Sequence, residues 1–258
     1  MIGRHDHGAV TEVRIERPDR RNALDTPHCT ALHETVDAAL ADGARVLVLT
    51  GEGSAFCAGA DLHTVGDAGF LDALYGMLHR LVEVPVPVIA AVHGPAIGAG
   101  TQLALAADLR VAGPGAVYGL PTAALGLAVD PWTVQRLALL AGGGGARRIL
   151  LACERLDHDA ARATGLVDRV GEPDVALAWA QEIAGLAPLT LAYNKLAANR
   201  ALGTPPTDVA TLAAAAAPDG PEPDDPVVAA FAACWRSADL VEGRRAREEK
   251  RPPEFRGV

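Results

Sequence analysis

The chain has 258 residues, half of them apolar and 21% charged, which is enough to bury a sizeable core and excludes global disorder. Its formal charge is −9, and only two of its 23 cations are lysines, Lys195 and Lys250. An acidic balance of this size argues against a nucleic-acid binder. It also weighs against an anionic small ligand unless the arginines are gathered locally.

The first ten residues, MIGRHDHGAV, carry Arg, Asp and two His where a leader's apolar segment would stand, so no signal peptide is expected. VTEVRIER (10–17) alternates apolar and polar residues and predicts a strand, while RVLVLTG (45–51) and PVIAAVHG (87–94) are continuous apolar runs of buried strands. Between them Thr26 to Leu40 places Leu32, Val36, Ala39 and Leu40 at helical spacing after a Thr-Pro start. Strands alternating with helices predict an α/β layer fold. The longest apolar runs are broken by Pro, Gly and His well short of a membrane span, so the expectation is a cytoplasmic protein without a transmembrane segment.

From Pro131 onward the strand signal fades. TVQRLALLAG (133–142), ARRILLACERL (146–156), HDAARATG (158–165) and ALAWAQEIAGLA (176–187) are helical in period, with one short strand in GLVDRVG (165–171). AGGGGA (141–146) lacks a following Lys-Ser/Thr and reads as a helix-to-helix turn better than as a phosphate loop. Thr204 to Pro206 breaks regular structure, and PDGPEPDDP (218–226) reads as a mobile surface loop. Cys29, Cys57, Cys153 and Cys234 are widely spaced and read as reduced thiols. The histidines form no metal-ligand pattern on one face, and no metal is expected.

Two segments carry chemistry. SAFCAGADL (54–62) follows a buried strand; Gly59 permits a sharp turn, and Ala60 offers a backbone N–H that no side chain screens. In HGPAIGAGTQLALAADLR (93–110) a strand ends in a Gly/Ala turn and a helix begins near Gly100, leaving free N–H groups at the positive end of the dipole. Two such donors converging on one carbonyl make an oxyanion hole, worth about 3–4 kcal/mol per donor.

RPDRRNAL (17–24), VLVLTGEGSAFCAGADL (46–62), PVPVIAAVHGPAIGAGTQLALAADLRVA (85–112), YGLPTAALGL (118–127), ARATGLVDRV (161–170) and EEKRPPEF (248–255) occur in the order seen in the enoyl-CoA hydratase/isomerase, or crotonase, superfamily. The chain resembles that family over essentially its whole length, and most nearly a glutamate-lacking subgroup of actinobacterial, including mycobacterial, acyl-CoA-binding members. The resemblance implies a crotonase spiral of repeated ββα units over 1–190 and a C-terminal helical trimerisation region over 191–258. It also implies a homotrimer or dimer of trimers, and an acyl-CoA or enoyl-CoA ligand that brings coenzyme A with it, with no resident cofactor.

Carried over by position, the resemblance makes the N–H groups of Ala60 and Ala99 the oxyanion donors. Ala58, Asp61, Leu62 and His63 would line the coenzyme A path, and Arg20 and Arg21 would lie near its phosphates. Lys250 would reach the nucleotide from a neighbouring subunit, and Arg247 replaces an aromatic that stacks on adenine in some members. The cations fit this placement: residues 1–22 hold five cations and four acids, residues 236–258 seven and five, and the span between them eleven and twenty-three.

The departures bear on activity. The two glutamates that hydratases use fall at Gln102 and Thr122, neither of which titrates near neutral pH. General acid–base catalysis contributes ~10²–10⁴-fold per group, so hydratase activity is expected to be weak or absent. Asp130 matches the catalytic Asp of dienoyl-CoA isomerases and the nucleophilic Asp of chlorobenzoyl-CoA dehalogenases. The partner Glu of the first and the Trp of the second would both fall at Thr122. Asp130 is thus the acid/base of an alternative isomerase or hydratase reading, or the N-cap of a helix starting at Pro131. Trp132 lines an acyl pocket or packs in the core. His93 stands where the family has a polar strand-end residue, which favours a structural role.

Overall fold

The computed structural model describes residues 1–61, 69–125, 128–200, 214, 217 and 219–258, with the backbone alone for 227, 231, 234, 244, 247 and 248. The break at Thr204 to Pro206 lies outside the described residues. Met1–Val82 with Val88–Ala180 makes one compact unit, and Glu83–Pro87 with Gln181–Val258 makes a second.

The first unit is built on a six-stranded sheet in the order β1 (Ile2–His7), β2 (Val10–Ile15), β3 (Val46–Gly51), β4 (Val88–Val92), β6 (Leu109–Ala112), β9 (Arg169–Val170). β1 and β2 pair as an antiparallel hairpin, His7 against Val10, and every later neighbour is parallel. The apolar runs VLVLTG and VIAAV are buried at every position, as strands covered on both faces must be. Strand β1 was not legible: its Arg, two His and Asp tolerate the partly exposed edge that it occupies. A smaller sheet holds β5 (Pro95–Ile97), β7 (Val117–Gly119) and β8 (Leu156–Asp157).

Helix α1 (Thr26–Ala41) starts where its sequence predicts, with Asp25 as N-cap accepting the His28 N–H at 3.0 Å. Helix α2 (Phe70–Glu83) buries Phe70, Leu74, Met77, Leu78 and Leu81 at helical spacing. Helices α3 (Ala99–Ala106) and α4 (Thr122–Leu125) follow. Helix α5 (Pro131–Leu151) absorbs the glycine run, but Gly142 has φ 69° and ψ 159°, so two helices meet there and the turn reading holds. The helical reading of 146–156 overshoots. Helix α5 ends at Leu151, Cys153 adopts φ 51°, and Leu156 opens β8. Helices α6 (His158–Thr164) and α7 (Pro173–Ala184) fall where expected. Among the described residues no single helix is long and apolar enough to cross a membrane.

The second unit is helical: α8 (Pro188–Arg200), α9 (Pro226–Arg236) and α10 (Ala238–Glu249). The acidic loop before α9 is used at its end, because Asp225 pairs with Arg200 at 3.2 Å and accepts the Val228 N–H. Helix α10 ends with Lys250 at φ 55° and with the Arg251 N–H donating to the Ala246 carbonyl at 3.0 Å, the geometry of a Schellman cap. The tail then returns along α10: Asp239 accepts the N–H groups of Arg256 and Gly257, and Ala238 donates to the Val258 carbonyl.

Glu242 ties this return together by accepting from Arg251 at 2.6 and 3.0 Å and from the Glu254 N–H at 3.0 Å. Those bonds, the Arg251 guanidinium first, hold its carboxyl at about 2, below its ordinary value of 4.5. A depressed acid stabilises the fold above its unfolded pKa, and that contribution fades as the pH falls from 4.5 towards 2. Glu242→Gln should therefore melt earlier than the parent at pH 7, with the gap narrowing below pH 4.5 and closing only near pH 2; melting curves across that range test it.

Candidate functional site

Two backbone segments of the first unit meet at glycines. The Cys57 N–H donates to the Pro95 carbonyl at 3.1 Å and the Ile97 N–H to the Cys57 carbonyl at 3.0 Å, so 57–59 runs alongside 95–97. Gly59 has φ 112° and Gly98 φ 56°, both outside the range of L side chains. A Cβ on Gly59 would lie 2.8 Å from the Ile97 carbonyl oxygen and 3.8 Å from the Ala99 nitrogen, and one on Gly100 would overlap the Cys57 carbonyl oxygen.

This crossing sets two donors. Ala60 forms a parallel bridge with Leu24 in which the Leu24 N–H donates to the Gly59 carbonyl and the Asp61 N–H donates to Leu24, leaving the Ala60 N–H unused by the ladder. Ala99 is the first residue of α3, whose first internal bond comes from the Gln102 N–H to Gly98. Its N–H therefore lacks an intrahelical partner. Both alanines line one cavity of about 530 Å³, a size suited to a small-molecule ligand.

The walls of that cavity come from the two crossing segments, from α2 (Phe70, Leu71, Leu74, Tyr75), and from the segment around α4 (Pro121, Thr122, Leu125, Ala128, Val129). Gln102 and Thr122 both line it, as does Ala58. Among the described lining residues there is no carboxylate, imidazole or cation, and the Tyr75 phenol is the one titratable group. Thiol chemistry is also closed off beside it, since burial pushes Cys57 up to about 12, and Cys29 likewise.

Asp61 is engaged elsewhere: it is buried and pairs with Arg17 at 3.1 Å, and Arg17 also reaches Asp25 and the Ala23 carbonyl. Asn22, fully buried at φ 60°, donates to the Glu52 and Ala55 carbonyls and accepts the Arg17 N–H. Together these residues clamp the loop that carries Ala60. The sequence offered them only as part of RPDRRNAL. Arg20 and Arg21 are exposed at the end of a short 3-10 turn, and the Arg21 carbonyl accepts the Ala58 N–H. Lys250 is exposed on the second unit. Leu62, His63 and the Arg247 side chain lie outside the described residues.

Asp130 is the residue before α5, as the Asp-Pro pattern predicts, but its carboxylate accepts from the Thr133 hydroxyl instead of capping a backbone N–H. Thr133 in turn accepts from Gln102 Nε2 at 2.9 Å, and the Asp130 N–H donates to the Tyr75 hydroxyl at 3.3 Å. Neither Asp130 nor Trp132 is among the described residues lining the cavity; Trp132 meets His79 edge-on at 6.2 Å between ring centroids. His93 is structural in its contacts, with Nε2 on the Gly53 carbonyl at 3.0 Å.

Comparison with known proteins is consistent across three scales. Residues 5–257 match the family model described as enoyl-CoA hydratase/isomerase. The chain is 43% identical over 266 residues to a probable enoyl-CoA hydratase, echA6, of Mycobacterium leprae, with both chains covered in full. It is 32% identical to a crotonyl-CoA hydratase of Syntrophomonas wolfei over 93% of this chain and 92% of that one. Among solved structures, an enoyl-CoA hydratase/carnithine racemase from Magnetospirillum magneticum superposes with a TM-score of 0.85 at 29% identity, over 100% of this chain and 96% of that one.

Proposed function

This chain belongs to the enoyl-CoA hydratase/isomerase family, and from that premise we propose that it binds fatty acyl- or enoyl-CoA thioesters in lipid metabolism with hydratase chemistry weak or absent. The observation that carries the reading is the cavity wall. Gln102 and Thr122, the positions to which the family resemblance assigns the hydratase glutamates, both line it, and no described lining residue is a carboxylate.

In this reading the Ala60 and Ala99 N–H groups hold the thioester oxygen as an oxyanion hole, and the apolar side chains of α2 receive the acyl chain. Coenzyme A enters only as part of the ligand. Arg20 and Arg21 take its phosphates, beside Ala58, Asp61, Leu62 and His63. Lys250 and Arg247 serve the nucleotide of a neighbouring subunit in a cytoplasmic homotrimer or dimer of trimers. Exposed Trp235 and Val241, 50% and 67% accessible, support association through the C-terminal helices. The alternative, in which Asp130 is the acid/base of an isomerase or hydratase, has less support, because its carboxylate is engaged by Thr133 and Asp130 is not among the described lining residues.

Two measurements on one preparation test this. Calorimetric titration with a long-chain acyl-CoA should show saturable binding, weakened about two- to fivefold by Lys250→Glu with no fall in melting temperature. The ultraviolet absorbance of crotonyl-CoA should persist on mixing; its loss at the rate of an ordinary hydratase would overturn the reading.

A further inference from the structure

Arg17 brackets the residue that pairs with Ala60. Its Nη1 donates to the Ala23 carbonyl at 2.9 Å and lies 3.3 Å from the Asp25 carboxylate, so it grips the chain on both sides of Leu24. Its Nη2 donates to the Asp61 carboxylate at 3.1 Å, on the segment opposite. Leu24 and Ala60 are the two residues of the parallel bridge between these segments, and one guanidinium therefore holds both sides of it. The planar fork of arginine suits this use, because its donors reach several acceptors at fixed angles.

The bridge sets the plane of one peptide. The Gly59 carbonyl accepts the Leu24 N–H at 2.8 Å, and the Leu24 carbonyl accepts the Asp61 N–H at 2.7 Å. In a planar trans peptide the C=O and N–H point opposite ways, so the Ala60 N–H faces away from Leu24 as long as the Gly59 bond holds. Gly59, at φ 112° and without a Cβ, does little by itself to fix that plane. The anchor lies outside it. Asp25 also accepts the His28 N–H as N-cap of α1, which ties the bracket to a helix of 16 residues. The Asp25 and Asp61 side chains are only 16% and 9% exposed, so without Arg17 two poorly solvated carboxylates would share one gap.

We propose that Arg17 is a positioning residue: by bracketing the Leu24–Ala60 bridge it aims the Ala60 N–H at the thioester carbonyl, and so governs how strongly that carbonyl is polarised more than whether the ligand is held. The inference rests on the acyl-thioester reading above and goes beyond it by naming the residue that sets the donor. Arg17 acts through Leu24 and Asp61 and needs no contact with the ligand.

The test is difference infrared spectroscopy of the full chain saturated with dodecanoyl-CoA isotopically labelled at the thioester carbonyl carbon. In the parent the carbonyl band should move to lower wavenumber on binding, as hydrogen bonds to the oxygen weaken the C=O bond. In Arg17→Met it should return part of the way towards the free thioester, while the calorimetric affinity falls by no more than about tenfold, the range of one net hydrogen bond. A merely structural Arg17 would lower the melting temperature and leave the band of the folded, saturated protein where the parent has it. Asp61→Ala, which frees the opposite side of the bridge, carries the same expectation where Arg17→Met does not fold. A band that shifts in the parent and is unchanged in the variant would overturn this proposal and leave thioester binding standing. No shift in the parent would overturn the oxyanion hole with it, and no binding would overturn the whole reading.

Discussion

Arg110→Met should lower the melting temperature by about 10 °C, the largest stability effect expected of a single side chain here. Arg110 is 1% exposed on β6, and its guanidinium is spent almost wholly on backbone: Leu166 O at 2.6 Å, Ala107 O at 3.0 Å, Asp108 O at 3.2 Å and Ala104 O at 3.4 Å, with Asp168 at 3.2 Å. Burial works to lower its pKa, and the Asp168 carboxylate opposes that. Methionine matches the volume but leaves several carbonyls unanswered, each at about 1–3 kcal/mol. Arg136 also reaches Ala107 O and would compensate there, so a net loss of about 4 kcal/mol is reasonable, at roughly 2–4 °C per kcal/mol. Circular dichroism melting checks it. An unchanged midpoint would mean that water or Arg136 can replace the whole set.

Gly100→Ala should weaken thioester binding even when the chain still folds. A methyl group there meets the Cys57 carbonyl oxygen, which is fixed by the Ile97 N–H at 3.0 Å and cannot swing aside as a side-chain end could. The start of α3 must move away from the 57–59 segment, carrying the Ala99 N–H with it. A bound carbonyl loses the hydrogen bond of one donor, about 0.5–1.5 kcal/mol, so a loss of up to about tenfold in acyl-CoA affinity is expected here. Gly144→Ala is a fair control, because a Cβ at Gly144 meets nothing within 4 Å. Similar affinity in Gly100→Ala and the parent would separate the donors from the binding site.

The alternation of buried strands and helices could be read directly because apolar runs such as VLVLTG have one physical use in a chain of this composition. The two Gly/Ala turns were legible as well, since such turns after a strand restrict what the backbone can do there. Arg110 was invisible: nothing in ADLRVA marks a cation that ends inside the core, because its partners come from residues as distant as Leu166 and Asp168. The link from Gln102 to Thr133 spans 31 residues and depends on how α3 meets α5, which no local pattern encodes. Asp130 lies between these cases. Its place before a helix is a local matter, while the choice of a threonine hydroxyl over a backbone N–H is a tertiary one.

The crossing of 57–59 with 95–97 also separates two evolutionary pressures. Donors that are main-chain amides persist under nearly any change of side chain, proline apart, and what the crossing demands is only that Gly59, Gly98 and Gly100 stay small. In the function proposed above, positions such as 102 and 122 could then change between acid, amide and alcohol without disturbing those two amides. On that reading purifying selection would fall on glycines that perform no chemistry, and a lineage would be able to change its reaction while keeping its ligand.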